Sequence, residues 1–195
     1  VIKKKMSYDS KIGGSIEIRK DEILNSTQFD YKRFFESRHS VREFSDTPVE
    51  IERIISAIGV AQKYPSVCNR QAARVYLAKS KEVVLEHLTY QNGNRGFSDK
   101  VDKLLIVTVD LGMFSESQER NQPYIDGGIY LMSLLLAIHA NGLGAVPLNW
   151  SVDSRTDKKF RKLGTIRDNE VIISFIGVGN LKDSMTVPKS ERSSV

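Results

Sequence analysis

The sequence predicts an α+β domain, three-layered around a sheet. Helical patterns outnumber strand patterns, the strand patterns fall singly among the helices, and neither a repeat nor an internal linker divides the chain. The 195 residues are 40% hydrophobic and 27% charged, enough to bury a core without staples. That composition excludes collagen, a mucin-like stalk and an acidic disordered chain.

Residues 1–28 are polar, charged and weakly periodic, with Gly13-Gly14 in the middle. They read as an N-terminal arm with little core of its own, either a disordered leader or an arm that wraps a partner subunit; the domain proper is then 29–195. A short helix is expected over 29–36. Thr47-Pro48-Val49-Glu50 has the form of a capping box with proline at the first helical position. Ile51, Ile54, Ile55 and Ile58 follow as one apolar stripe, ending near 59–63. Residues 64–71 read as a loop, 74–79 as a strand, 81–88 as a helix and 90–99 as a Gly- and Asn-rich loop. The aliphatic run Leu104–Val109 suits a central strand. From Pro123 to about Asn141 the pattern is apolar nearly all round, as in a core helix buried on most sides. Asn141-Gly142 ends it with the residues a left-handed cap requires. A short strand at 145–148, a charged helix at 153–162, a buried strand at 171–179 and a polar tail complete the chain.

The formal net charge of +5 invites a nucleic-acid reading, but +4 of it lies in residues 1–20 and the other 175 residues are nearly neutral. A duplex binder carries its basic stripe on the folded face, so nucleic acid is not an expected partner. Cys68, the single cysteine, cannot form an intramolecular disulfide, which makes a reducing, cytoplasmic setting the expectation. Neither a ~20-residue apolar span nor a secretory leader is evident in the sequence, so no membrane partner is expected.

Two segments carry chemistry. In Arg38-His39-Ser40-Val41-Arg42, alternation puts Arg38, Ser40 and Arg42 on one side of an extended chain. Two guanidiniums and a hydroxyl suit a phosphate or an electron-rich ring edge, although alone the segment also reads as a solvated loop. Pro65-Ser66-Val67-Cys68-Asn69-Arg70-Gln71 groups hydroxyl and amide groups that can face a ring edge or a ribityl chain, or simply make a turn. Cys68 lacks a recognisable activating partner, His139 reads as a core histidine, and no spacing fits a metal site. Gly142-Leu143-Gly144 follows a helix rather than a strand, which disfavours a dinucleotide fingerprint.

Taken in order, the motifs are more specific than any one of them. Arg38–Phe44, Pro48-Val49, Pro65-Ser66-x-x-Asn69-x-Gln71, the helix after Asp126-Gly127-Gly128, Gly142-Leu143-Gly144 leading to Pro147-Leu148-Asn149-Trp150, Ile176–Gly179 and Pro188-Lys189-Ser190-x-Arg192 together resemble the FMN-dependent nitroreductase family. The resemblance covers roughly residues 30–193. It implies a homodimeric sandwich with a mixed, mainly antiparallel sheet and FMN at the subunit interface. It further implies that Arg38 and Ser40, with His39 between them, hold the phosphate, with Lys189 and Arg192 nearby, and that Arg42 approaches the N1/O2 ring edge. Pro65, Ser66, Asn69 and Gln71 would come from the other subunit. Pro147, Leu148 and Asn149 would lie along the ring, a backbone N–H there reaching N5, and Asn94 would pair with the pyrimidine end.

The activity implied is ping-pong transfer from NADH or NADPH, through FMN, to a nitro, quinone or related small-molecule acceptor. The cofactor does the chemistry and no protein residue acts as catalytic acid or base. The alternatives are a same-fold flavoenzyme with another reaction (dehalogenation, dehydrogenation or flavin cleavage) and a non-catalytic flavin binder. One departure concerns the ring-lining loop: many members carry Glu-Gly where this chain has Asn149-Trp150, so Trp150 either narrows the acceptor pocket or sits outside it.

Overall fold

The computed structural model describes residues 16–193. The chain divides after Ser37 into two units. In the first, α1 (Lys20–Ser26) and α2 (Tyr31–Ser37) contain no buried residue. Phe29, Tyr31 and Phe35 touch edge-on or tilted but stay exposed. The helix expected at 29–36 thus belongs with this unit, and the second unit begins at Arg38. Residues 1–15 of the expected arm lie outside the described residues.

The second unit is ordered α3 (Ile51–Ala61), β1 (Ala73–Ala78), α4 (Lys81–Leu88), β2 (Lys103–Asp110), α5 (Gln122–Ala140), β3 (Leu143–Asn149), α6 (Ser154–Arg161) and β4 (Glu170–Asn180). The strands form one sheet in the order β1-β2-β4-β3, and every pairing is antiparallel. The only parallel element among the described residues is a bridge between Ser40 and Ala145, beside which the Val41 N–H donates to the Ala145 carbonyl at 3.0 Å. All eight residues of β2 are buried, as its aliphatic run predicts.

Two-residue periodicity divides the sheet between two cores. Leu105, Val107, Ile176 and Val178 face α3 and α5. Leu104, Ile106 and Phe175 face the opposite layer with Val84 and Leu88 of α4 and Phe160 of α6. The result is the expected helix–sheet–helix sandwich.

Two expectations need correction. The capping box does not form: α3 starts at Ile51 after Glu50, and no side chain caps it. Other partners, near and distant, engage this segment instead. The Val49 N–H donates to Asp102 Oδ2 at 2.7 Å, and the Thr47 hydroxyl engages Ser45 and Asn180. Nor is α5 buried on most sides. The sheet and α3 cover one side of it, while Tyr124, Ile125 and Ile129 remain exposed. Its end is as expected, with Gly142 at φ +67 just beyond Asn141. Arg53 locks α3 onto that end, donating to the Asn141 carbonyl (2.6 Å) and to Asn180 Oδ1 (2.8 Å).

Candidate functional site

The sequence-predicted residues fall into two groups. The first gathers along β3. Ser40 lies beside Ala145 through the parallel bridge, and the buried side chains of Val41 and Phe44 fix the segment against the core. Arg42 lies over Phe97, its guanidinium carbon 5.7 Å from the ring centroid. Its Nη1 is buried and has no hydrogen-bond partner among the described residues. A desolvated guanidinium nitrogen without an acceptor is costly, and its free donor is of the type that an anionic or electron-rich group would satisfy. Arg38 and Ser40 are half-buried and His39 is exposed.

Residues 90–97 close this group. Gln91, buried, donates to the Asn149 carbonyl at 3.0 Å and accepts from the Gly93 N–H at 2.6 Å. Asn94 donates to the carbonyls of Leu88 (2.8 Å) and Gln91 (2.6 Å) and to Gln91 Oε1 (3.1 Å). Its amide hydrogens are therefore committed to shaping the loop, and only its oxygen is left for a ligand. Gln91 and Phe97 were not legible as site residues. The glycines around them announce only a loop.

At the end of β3, Pro147 is half-buried and Asn149 exposed, but Leu148 points into the core, so the segment presents backbone there rather than the leucine side chain. Trp150 turns inward as well. Its ring stacks on Phe175 at 4.7 Å and 25°, and its Nε1 donates to Asp157 at 2.8 Å. Burial pushes the Asp157 carboxyl up, but the hydrogen bonds from Arg161 and Trp150 outweigh this and hold it below the usual range. Lys189 and Arg192 are exposed. Arg192 donates to the carbonyls of Ser190 and Glu191, and no hydrogen bond or ion pair among the described residues joins either cation to Arg38 or Ser40.

The second group is the loop Pro65–Gln71. Cys68, Asn69 and Gln71 all adopt positive φ (48°, 53° and 50°), a rare conformation for side-chain-bearing residues. Several contacts hold it. The Gln71 N–H donates to the Ser66 hydroxyl at 3.0 Å, and the Gln71 amide donates to Asn69 Oδ1 at 3.1 Å. The Val67 N–H donates to Asp126 of α5 at 3.2 Å. Arg70 meets Glu119 at 2.6 Å and lies over Phe114. Burial raises the Glu119 carboxyl, yet Arg70 and the N–H groups of residues 115 and 116 more than offset it, leaving its pKa lowered. A cleft of about 390 Å³, lined by Gln71, Arg74, Tyr64 and Tyr130 among others, opens beside the loop. Burial pushes the Tyr130 hydroxyl up to about 12, with a smaller contribution from Tyr64.

One chain does not unite the two groups. Ser40 sits outside β3, in the Ala145–Val178 row, whereas the Pro65–Gln71 loop enters β1 at the Ala73–Val109–Val171 row. At ~4.8 Å per strand and ~3.3 Å per residue, those corners of the sheet are on the order of 30 Å apart.

A sheet between two helical layers makes this part of the chain an α+β sandwich, with the open Nη1 of Arg42 near one edge of the sheet. The chain belongs to the nitroreductase family, whose model matches residues 35–180. Its fold is similar to that of the nitroreductase family protein of Streptococcus pneumoniae (17% identity, 84% of this chain and 96% of that one, TM-score 0.70). It is equally similar to a Parabacteroides distasonis protein assigned as an NADH dehydrogenase/NAD(P)H nitroreductase (22%, 83% and 92%, 0.70). A Desulfovibrio desulfuricans protein assigned as a nitroreductase and solved in complex with FMN also matches (18%, 86% and 94%, 0.71). No functionally curated protein matches the chain.

Proposed function

We propose that this protein is an FMN-dependent oxidoreductase that takes reducing equivalents from NADH or NADPH and delivers them to a nitro, quinone or related organic acceptor. The observation that carries this reading is the buried, unpartnered Nη1 of Arg42. It fits a ring edge that becomes negative on reduction, where a fixed cation favours electron uptake. Family membership and the FMN-bound Desulfovibrio desulfuricans neighbour point to the same ligand.

Bound FMN supplies the two-electron chemistry, and the chain's residues bind and orient it. Arg38 and Ser40, flanked by His39, hold the phosphate, and Lys189 and Arg192 add positive charge from the C-terminal segment. Arg42 faces the ring edge. The backbone of Pro147, Leu148 and Asn149 would lie along the ring, and the Asn94 oxygen would be available to its pyrimidine end. With Trp150 turned into the core, exposed Asn149 is left to border the acceptor.

The working form is a homodimer with FMN at the interface. Two observations support it. The corner-to-corner separation exceeds the reach of one mononucleotide, so Pro65, Ser66, Asn69 and Gln71, which the family resemblance sets against a flavin, would serve that of the other subunit. The exposed apolar residues Tyr124, Ile125 and Ile129 on α5 and Ile55 on α3 give that subunit a surface to cover.

The test is the visible spectrum of the purified protein, with added FMN, before and after NADH or NADPH. Flavin absorbance that bleaches and returns with a nitro or quinone acceptor is the expected result. A protein that takes up no FMN would sink the reading, and bound FMN that neither nucleotide bleaches would make the chain a flavin binder without turnover.

A further inference from the structure

We infer that Asp126 is the positioning residue of the flavin-facing loop, acting on the partner subunit's site rather than on its own; this rests on the interface reading above. Asp126 lies in an otherwise apolar stretch of α5 and is 1% exposed. A carboxylate so placed is retained only with matched donors. Among the described residues it has two: the Val67 N–H at 3.2 Å to Oδ2 and the Gln122 amide at 2.8 Å to Oδ1. Neither is a cation, and one is the backbone of the strained loop.

The neighbouring glycine sets the depth at which this happens. A Cβ on Gly127 would stand 2.6 Å from Ile173 Cγ1 and 2.9 Å from Val109 Cγ2. Only glycine lets α5 approach the sheet this closely, and that approach brings Asp126 level with Val67. Three left-handed, side-chain-bearing residues within four positions persist only when their surroundings over-determine them. The Arg70–Glu119 pair and the Ser66–Gln71 hydrogen bond hold the C-terminal half of the loop. Asp126 holds its N-terminal half, and is the only one of these clamps that belongs to the long helix bearing the exposed apolar face. The carboxylate therefore fixes Ser66 and Asn69 relative to the surface through which the loop reaches the other subunit.

The experiment compares Asp126→Ala with Asp126→Asn. Asparagine keeps an acceptor for the Val67 N–H, and the Gln122 amide can flip to match it, so this variant separates positioning from simple burial of a side chain. In apo protein, trypsin should cleave after Arg70 faster in Asp126→Ala than in the wild type or Asp126→Asn. The dissociation constant for FMN, read by flavin fluorescence, should rise about tenfold in Asp126→Ala, the effect of one charge-assisted hydrogen bond, and stay near wild type in Asp126→Asn.

Mixed dimers then test the direction of action. One chain carries Arg42→Ala and the other Asp126→Ala, so that one site collects both lesions and the other neither. One wild-type-affinity FMN per mixed dimer is expected, where each parent homodimer has none. Unchanged cleavage and affinity in Asp126→Ala would overturn the inference, as would mixed dimers without a restored site. A wild type that binds no FMN, or remains monomeric with FMN bound, would refute the interface reading itself and the inference with it.

Discussion

Replacing Arg42 with methionine should stabilise the protein without flavin and weaken its hold on flavin, two effects of opposite sign from one side chain. In the apo protein Nη1 is buried without an acceptor, and the guanidinium lies over Phe97. Removing an unsatisfied buried polar group relieves about 1–3 kcal/mol, while losing the cation–π contact costs about 0.5–1 kcal/mol. Methionine roughly conserves the apolar stem, so the net gain is about 1 kcal/mol. With a urea dependence near 2 kcal/mol/M, the apo midpoint should rise by about 0.5 M. The same substitution would remove the proposed charge-assisted contact to FMN, worth about 1.5–3 kcal/mol, a loss of roughly 10- to 150-fold in affinity. Urea titrations of apo and FMN-saturated protein at one protein concentration, with fluorescence titration of FMN, measure both. An apo Arg42→Met protein that unfolds at lower urea, with FMN affinity unchanged, would refute the reasoning.

Three further outcomes follow from the packing. Gly127→Ala drives a methyl into Ile173 and Val109, an overpacking cost of about 1–3 kcal/mol that calorimetry should read as a fall of several degrees in Tm. Trp150→Ala removes the ring stacked on Phe175 and the hydrogen bond to Asp157, and should cost about 3–5 kcal/mol in urea unfolding followed by circular dichroism. Burial lowers the pKa of His87 against a smaller opposing pull from Glu86. The unfolded chain then binds this proton more readily than the folded one, so the His87 contribution is complete above about pH 6.5 and is lost as pH falls below it. The urea midpoint should drop on acidification from pH 7.5, and His87→Gln should flatten that drop.

Strand and helix positions were largely legible because local pattern and tertiary demand agree. Leu104–Val109 is aliphatic on both faces and becomes the buried strand between two helical layers, and Lys81–Leu88 follows the serine that caps it. The pattern failed where distant partners took over. Thr47 and Glu50 have capping-box spacing, but Asp102 and Asn180 claim that backbone and hydroxyl from more than fifty residues away. The conformation of the Pro65–Gln71 loop was hidden for a different reason. Its left-handed positions hold cysteine, asparagine and glutamine rather than glycine, so nothing local announces them. Asp126 carried a signal in plain view, a carboxylate in an apolar helical run. What it receives, the Val67 N–H, is set by topology and so lay beyond a linear reading.

The parallel bridge at Ser40 has a consequence for how the protein survives at high concentration. β3 is an outer strand, and an outer strand ordinarily offers its free backbone to any extended chain, the route to sheet-by-sheet aggregation. Here residues 40–41 already occupy the Ala145 carbonyl, and Pro147, two residues on, has no N–H to give. The rim of the sheet that carries Arg42 is thereby closed to foreign strands, so the edge beside the candidate site need not double as a template for self-association.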